Sequence, residues 1–357
     1  RLSIPVDRPW LELVPAPDGG QYSPFPPVPA VVLMPVMALA NLVGAAEPAS
    51  NAYTAVAGAL NVALVFWLLG RIGVAFVPRQ LLTVGFAFTT HWWVAGMAGT
   101  HLWAQTLGVT FTLVALHIAL GRRWPLLAGL ALGLAAGSRL PMGLALPLLL
   151  AMVSPGLSRL DRWRPTHAHL ALLAGVAAVA LPIAAYNLAR FGSPIDFGYA
   201  RIPSGEFGLV TDEPWFRHGL LSPLYIPRHL YAMLLQSFEW VDVAPFLRPS
   251  ITGLSLTLSA PFLFFAARAW SVRERHPLVP VALLCVPLIL LPDVLHGSWG
   301  FAQFGYRFVL DAVPVLMLLL GWAYRDRVTP WLVAAVAIGV VVHAYGNYAI
   351  NVLEFVS

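Results

Sequence analysis

The chain has 357 residues, of which 59% are hydrophobic and 10% are charged, and its formal net charge is +5. A soluble domain carries roughly 25% charged residues, so most of this chain must lie in lipid. All 21 basic residues are arginine. About half of them lie in short loops between apolar runs, which is typical of membrane topology and of contact with anionic headgroups, and argues against nucleic-acid binding.

The opening segment starts at Arg1, is polar and proline-rich, and has neither a signal peptide nor an apolar helix before it. We expect that it begins within an extracytoplasmic loop and that a first transmembrane helix is missing from the given sequence. The acids of this loop include Asp7, Glu12 and Asp18. Such carboxylates could bind a divalent cation or act as a general base, and they are as often only part of a solvated loop.

The apolar run 26–46 follows this loop. A full span here would place Arg71 and Arg79 outside, so the charge rule favours an interfacial or re-entrant helix on the outer surface.

The later apolar runs predict transmembrane helices, which need about 20 mainly apolar residues. We predict an all-α polytopic membrane protein with about ten such segments. They lie near 51–70, 80–98, 103–120, 125–137, 140–153, 169–189, 250–268, 278–295, 308–323 and 329–350. Residues 1–357 then form one membrane domain, in which 1–50 are the outer loop and interfacial helix and 190–249 are an outer insertion.

Arginine-rich loops predict which end of each helix is cytoplasmic. They occupy 70–79, 121–124, 158–164, 268–276 and 325–327. The alternating loops are rich in aromatic and acidic residues, so we expect the chemistry on the outer face.

The runs 125–137 and 140–153 are too short to span a membrane comfortably. The sequence before the first run and the sequence after the second are both arginine-rich. They therefore predict a hairpin with a break at 137–141, at membrane depth. Irregular backbone is tolerated there only where it lines protein or a water-filled cavity.

Two histidines lie near the outer ends of adjoining helices. His91 and His101 flank a segment rich in tryptophan, which is itself typical of an interfacial belt. The pair could form ordinary hydrogen bonds, bind phosphate, or bind a metal together with a carboxylate. Two histidines alone are a weak metal signal, so the metal stays unknown.

The insertion 190–249 alternates charged and aromatic residues. Loops longer than about 12–15 residues are usually functional or disordered, and the aromatic content favours an ordered structure against the bilayer. Arg201 is its candidate phosphate ligand.

The segment 297–314 places ionisable groups beside an apolar helix, which predicts a functional role. Gln303, Tyr306 and Arg307 precede the helix, and Asp311 follows Arg307 by four residues. On an α-helix this spacing puts Arg307 and Asp311 on one face. They could form an ion pair that only compensates both charges, or Arg307 could hold a phosphate with Asp311 orienting it.

Several sequence elements support a family resemblance by their order. They are YSPFPPVPAVVLMP, LLGRIG, RRWPLLAGLALGLAAGSRLP, YNLARFGSPIDFGY and FGYRFVLDAVPVLMLLLG. Together they resemble bacterial membrane glycosyltransferases of the GT-C superfamily, in the branch of the protein O-mannosyltransferases and the aminoarabinose transferases of lipid A.

The resemblance implies an enzyme of the bacterial inner membrane that transfers a sugar from a polyprenyl-phosphate donor to an acceptor on the extracytoplasmic face. An outer-loop aspartate would act as base or metal ligand. The family's acidic motif follows the first transmembrane helix, so its main acid is expected upstream of Arg1, and Asp7 and Asp18 are nearby acids and not matches to it.

Some members of that family bind the donor phosphate with a lysine. This chain has no lysine, so we expect arginine to bind the phosphate instead. The expected donor-binding residues are His91, His101, Arg201, Gln303, Tyr306 and Arg307.

The alternative interpretation is a non-catalytic, transferase-like subunit of a larger membrane complex. The predicted partners are the polyprenyl-phosphate sugar and membrane lipids.

Overall fold

The computed structural model describes residues 3–4, 12–44, 50–91, 100–154, 165–300 and 303–355. Within these ranges the chain is mostly helical, as the sequence predicts. Arg1, Asp7 and the loop 158–164 lie outside the described residues, and so do the side chains of His91 and His101.

The α-helices are α1 (Val28–Leu42), α2 (Ser50–Arg71), α3 (Phe76–Gly85), α4 (Thr100–Gly121), α5 (Pro125–Ser138), α6 (Leu146–Val153), α7 (His167–Phe191), α8 (Ile226–Leu234), α9 (Leu256–Ser259), α10 (Val279–Leu295), α11 (Val313–Ala323) and α12 (Pro330–Asn351). A π-helical turn, Phe86–His91, continues α3, and the longer 3₁₀-helices are Leu140–Ala145, Pro261–Val272 and Arg307–Asp311. Short 3₁₀ turns in the insertion 190–249 are Tyr199–Arg201, Val210–Asp212, Pro214–Phe216 and Pro223–Tyr225.

The strands form antiparallel two-residue hairpins. They pair β1 (Val14–Pro15) with β2 (Gln21–Tyr22), β3 (Pro203–Ser204) with β4 (Gly208–Leu209), and β5 (Glu239–Trp240) with β6 (Leu247–Arg248). Two of these hairpins, β3–β4 and β5–β6, lie in the insertion 190–249.

Local sequence explains where the long helices begin and end. The hydroxyl of Thr329 accepts the backbone N–H of Leu332, and Pro330 occupies the first turn of α12, where its missing N–H costs nothing. Helix α7 ends before Gly192, which has a φ of +77°. A residue with a Cβ rarely adopts this conformation.

Four helices in the described part of the chain are long and apolar enough to cross a membrane. They are Ala52–Arg71, Leu102–Gly121, His167–Phe191 and Pro330–Asn351. Shorter apolar helices, Val28–Leu42, Pro125–Ser138, Leu140–Val153, Val279–Leu295 and Val313–Ala323, pack among them. The protein is therefore an α-helical membrane protein.

Helices α5 and α7 pack at backbone contact. A Cβ at Gly129 would collide with the carbonyl of Leu172, and one at Gly175 would collide with the carbonyl of Leu126. Small residues allow such close approach in membrane helices. This packing holds the first half of α5 against α7.

The break predicted at 137–141 is confirmed. Helix α5 ends at Ser138, and Arg139 adopts an extended conformation with φ −144° and ψ 109° before the 3₁₀-helix begins. Pro141 has no N–H to donate to the carbonyl of Gly137, so the α-helix cannot continue.

Contacts between arginine-containing loops bring them to one end of the bundle. Arg122 Nε donates to the carbonyl of Met152 at 3.0 Å, and Arg325 Nε donates to the carbonyl of Gly73 at 3.1 Å. The end of α10 lies against the insertion 190–249, where the Ser222 N–H donates to the carbonyl of Leu295 at 2.7 Å.

Candidate functional site

A cluster of buried charges joins the helix break to two other elements. Arg139 Nε donates to both Asp311 oxygens, at 3.3 and 3.1 Å, and its Nη2 donates to Asp311 Oδ2 at 2.8 Å and Asp293 Oδ1 at 3.1 Å. The Asp311 side chain is 0% exposed and that of Asp293 is 7% exposed. Buried charges are tolerated only when paired and hydrogen-bonded, and the guanidinium fork does both. We call Arg139, Asp293 and Asp311 the ionic cluster.

The cluster is assembled from three separate parts of the fold. Arg139 is the extended residue at the break after α5. Asp293 lies in the last turn of α10, and Asp311 is the last residue of the 3₁₀-helix before α11.

The prediction that Arg307 and Asp311 form an ion pair on one helix face is wrong. Residues Arg307–Asp311 form a 3₁₀-helix, and Arg139 takes the carboxylate. With three residues per turn, side chains four positions apart diverge by about 120° instead of sharing a face. Asp311 still lies close enough to Arg307 for an electrostatic interaction.

Arg307 is held through its backbone. Its N–H donates to Gln303 Oε1 at 3.4 Å, and its carbonyl accepts from Gln105 Nε2 at 3.1 Å. The guanidinium lies 5.5 Å from the ring centroid of Phe308. Its buried Nε has no hydrogen-bond partner among the described residues, as is also the case for Arg79, Arg190 and Arg228.

Residues from the opening segment and from the insertion 190–249 lie close to Arg307. Tyr199 and Glu12 lie close enough to interact with it electrostatically, and so does Arg139. The ring of Tyr199 also packs edge-on against His296, with centroids 6.0 Å apart. Burial, followed by the Glu12 carboxylate, raises the pKa of the Tyr199 hydroxyl. Tyr199 thus brings the insertion 190–249 close to Arg307.

Tyr306 is buried and joined to helix α8. His229 Nε2 lies 2.8 Å from the carbonyl of His296, and its Nδ1 lies 2.8 Å from the Tyr306 hydroxyl. A carbonyl only accepts, so Nε2 carries the proton and Nδ1 accepts from the tyrosine. Helix α8 therefore holds the segments around His296 and Tyr306 together.

We predict a pH dependence of stability from His229. Burial lowers its pKa to about 4 in the folded protein. An unfolded histidine titrates near 6.5, so the unfolded chain binds a proton first and stability falls as the pH drops from about 6.5 to about 4. The loss attributable to this one group is on the order of 3 kcal/mol. Thermal unfolding in detergent across this range should show a weaker pH slope in His229→Gln than in the wild type. Equal slopes would assign the acid lability to other groups.

Gln303 lies beside Arg307, and its side-chain amide forms hydrogen bonds to backbone carbonyls. Gln303 Nε2 donates to the carbonyls of Thr252 at 2.7 Å and Trp299 at 3.0 Å, and the side chain is buried. Gln303 therefore shapes the loop that carries Arg307.

Arg201 lies in the insertion 190–249 and Asp18 in the opening segment. Arg201 forms an exposed ion pair with Asp196 at 2.8 Å. Asp18 Oδ2 accepts from Ser3 Oγ at 2.5 Å and its Oδ1 accepts from the Gly20 N–H at 3.2 Å, which is how a carboxylate stabilises a tight turn. Neither side chain is among the groups that surround the ionic cluster.

The remaining predicted acids fall outside the part of the chain that the structure describes. Asp7 is one of them. The family's main acid, expected upstream of Arg1, is not a residue of this sequence. Both therefore stay predictions.

An apolar groove begins beside the ionic cluster. Its volume is about 300 Å³, and it is lined by Ala136, Leu140, Pro141, Gly143, Leu144 and Pro292. Leu140 follows Arg139 and Pro292 precedes Asp293 in the sequence, but no residue of the ionic cluster lines the groove itself.

Sequence reasoning missed Arg139, Asp293, His229 and Tyr199 as site residues. A local signal existed for Asp293 and Arg139, because each is an isolated charge beside an apolar run. Among the residues that the structure describes, no group of three or more His, Cys, Asp or Glu side chains could hold a metal ion.

In comparisons with known proteins, no family model, no curated protein and no solved structure matches this chain. The resemblance to GT-C glycosyltransferases stays a prediction.

Proposed function

We propose that this protein is a membrane glycosyltransferase that uses a polyprenyl-phosphate sugar donor on the extracytoplasmic face of a bacterial inner membrane. The observation that carries the proposal is the Arg307 guanidinium, whose buried Nε has no partner in the described part of the chain. In this proposal the shorter apolar helices join the four long ones to make about ten membrane segments.

The charge distribution favours an anionic headgroup at Arg307. Arg139 is occupied by two carboxylates, whereas Arg307 keeps a donor for a ligand. A guanidinium matches the geometry of phosphate oxygens bidentately. A phosphate here would contact Arg307 without breaking the ionic cluster.

The groove beside the cluster favours a ligand with an apolar chain. Its lining side chains carry no charge and its volume is about 300 Å³. In this proposal an isoprenoid tail occupies the groove and its phosphate extends beyond the groove towards Arg307. The combination of apolar tail and anionic head is the chemistry of a lipid phosphate.

We expect Arg307→Ala to weaken donor use by roughly ten- to a hundredfold, because a charge-assisted bond contributes about 1.5–3 kcal/mol. Arg307→Lys should recover only part of this loss, since a point charge replaces a planar fork. The assay is sugar transfer from radiolabelled polyprenyl-phosphate donors, at limiting donor, by the purified full-length protein.

The matched control is His276→Ala. His276 stacks on Trp322 just before α10 begins, about 25 Å of helix away from Asp293. Its activity should equal that of the wild type. Wild-type transfer by Arg307→Ala would remove Arg307 from the donor site. A wild type that binds the donor without turnover would instead indicate the non-catalytic subunit.

A further inference from the structure

A buried histidine in helix α12 plays no part in the site described so far. His343 is 2% exposed and lies within the membrane-spanning candidate Pro330–Asn351. Neither ring nitrogen has a hydrogen-bond partner among the described residues. Unpaired buried polar groups are rare and costly, and ionisable groups in membrane helices are usually functional.

A small cavity adjoins His343. Its volume is about 10 Å³, and its walls include Thr89, Ser259, Gly305 and Arg307. A cavity of about 10–15 Å³ holds one water molecule when polar groups line it. The Ser259 hydroxyl donates to the carbonyl of Ser255 at 2.9 Å, so its oxygen remains able to accept.

The loop that carries Arg307 packs directly on His343. The Phe304 ring meets the imidazole edge to face at 5.1 Å, and a Cβ at Gly346 would collide with that ring. Gly305 has φ +84°, and a Cβ there would lie 3.2 Å from Ser259 Oγ and 3.9 Å from His343 Cε1. A displacement at His343 is therefore transmitted to the backbone beside Arg307.

We propose that this cavity binds a single water molecule, which links the His343 imidazole to the 304–307 loop and holds Arg307 in place. A neutral imidazole accepts at one nitrogen and donates at the other, and water can complement either. Such a bridge is nearly as favourable as a direct hydrogen bond. His343 is thus a positioning residue. Its effect on the donor rests on the proposed function, whereas the water site does not.

The water site is tested by nitrogen NMR on protein with ¹⁵N-labelled histidine in lipid bilayers. The His343 signals are those lost in His343→Phe. We expect hydrogen-bonded chemical shifts and magnetisation transfer from water protons. His169 is the matched control, because its ring contacts Ser154 and Thr166 and needs no water. Shifts of a free imidazole without transfer from water would overturn the proposal.

The positioning role is tested by donor KM. His343→Phe should raise it about three- to tenfold, the effect of one lost hydrogen bond, with kcat nearly unchanged. His343→Gln should restore most of the affinity, because an amide can still bond to the water. An unchanged donor KM in folded His343→Phe overturns the positioning role. If the wild type uses no donor, the proposed function fails, and the NMR result alone decides the water site.

Discussion

Replacing Arg139 with methionine is expected to cost about 3–5 kcal/mol of stability. The substitution keeps an apolar side chain of similar length but removes the only charge that bonds to both Asp293 and Asp311 in the described structure. Two buried carboxylates would then lie together without compensation. The free energy of unfolding, measured by denaturant titration in detergent micelles, should fall accordingly.

The matched control is the exposed ion pair between Arg248 and Glu239. Its atoms are also 2.8 Å apart, but the side chains are 37% and 47% exposed. Arg248→Met should therefore change stability by about 0–1 kcal/mol. Combining Arg139→Met with Asp293→Asn and Asp311→Asn should recover most of the loss. Equal losses in the two single variants would contradict the role assigned to the ionic cluster.

The membrane helices could be predicted because lipid imposes simple rules of length and polarity. The predicted segments 51–70, 103–120 and 329–350 coincide closely with helices in the structure. The break at 137–141 could also be predicted, because a proline interrupts a run already too short to span.

The contacts of the site could not be predicted from the sequence. Arg139 bonds to Asp311 across 172 positions, and nothing local to either residue indicates its partner. The four-residue spacing of Arg307 and Asp311 indicates a pair only on an α-helix. The structure has a 3₁₀-helix there, and so the second arginine, from the helix break, reaches the carboxylate.

The two half-buried arginines have different surroundings. Arg139 bonds to both carboxylates of the ionic cluster, whereas the Nε of Arg307 has no partner among the described residues. With both carboxylates ionised the cluster carries a net charge of −1, which attracts the neighbouring Arg307 guanidinium. We therefore expect stability and binding of the proposed sugar donor to respond to different substitutions.

Glu12→Gln is expected to reduce sugar transfer by about 10²–10⁴-fold, the usual contribution of a general base. Glu12 belongs to the opening loop and is close enough to Tyr199 and Arg307 to interact with both. A carboxylate there could take the proton of an acceptor hydroxyl beside the donor phosphate. Glutamine keeps the size but cannot accept the proton, so kcat should fall much more than the thermal unfolding midpoint changes.

Asp18→Asn is the comparison that decides which acid of this loop acts. Asp18 holds a turn through Ser3 and Gly20, and asparagine can accept one of those hydrogen bonds. We expect a much smaller loss of kcat than in Glu12→Gln, because the turn lies apart from Arg307. If Asp18→Asn instead abolished transfer and Glu12→Gln kept the wild-type kcat, the role of base would pass to Asp18. If both variants keep wild-type kcat, neither acid is the base, and Asp7 is the carboxylate of the opening loop to which the role would pass.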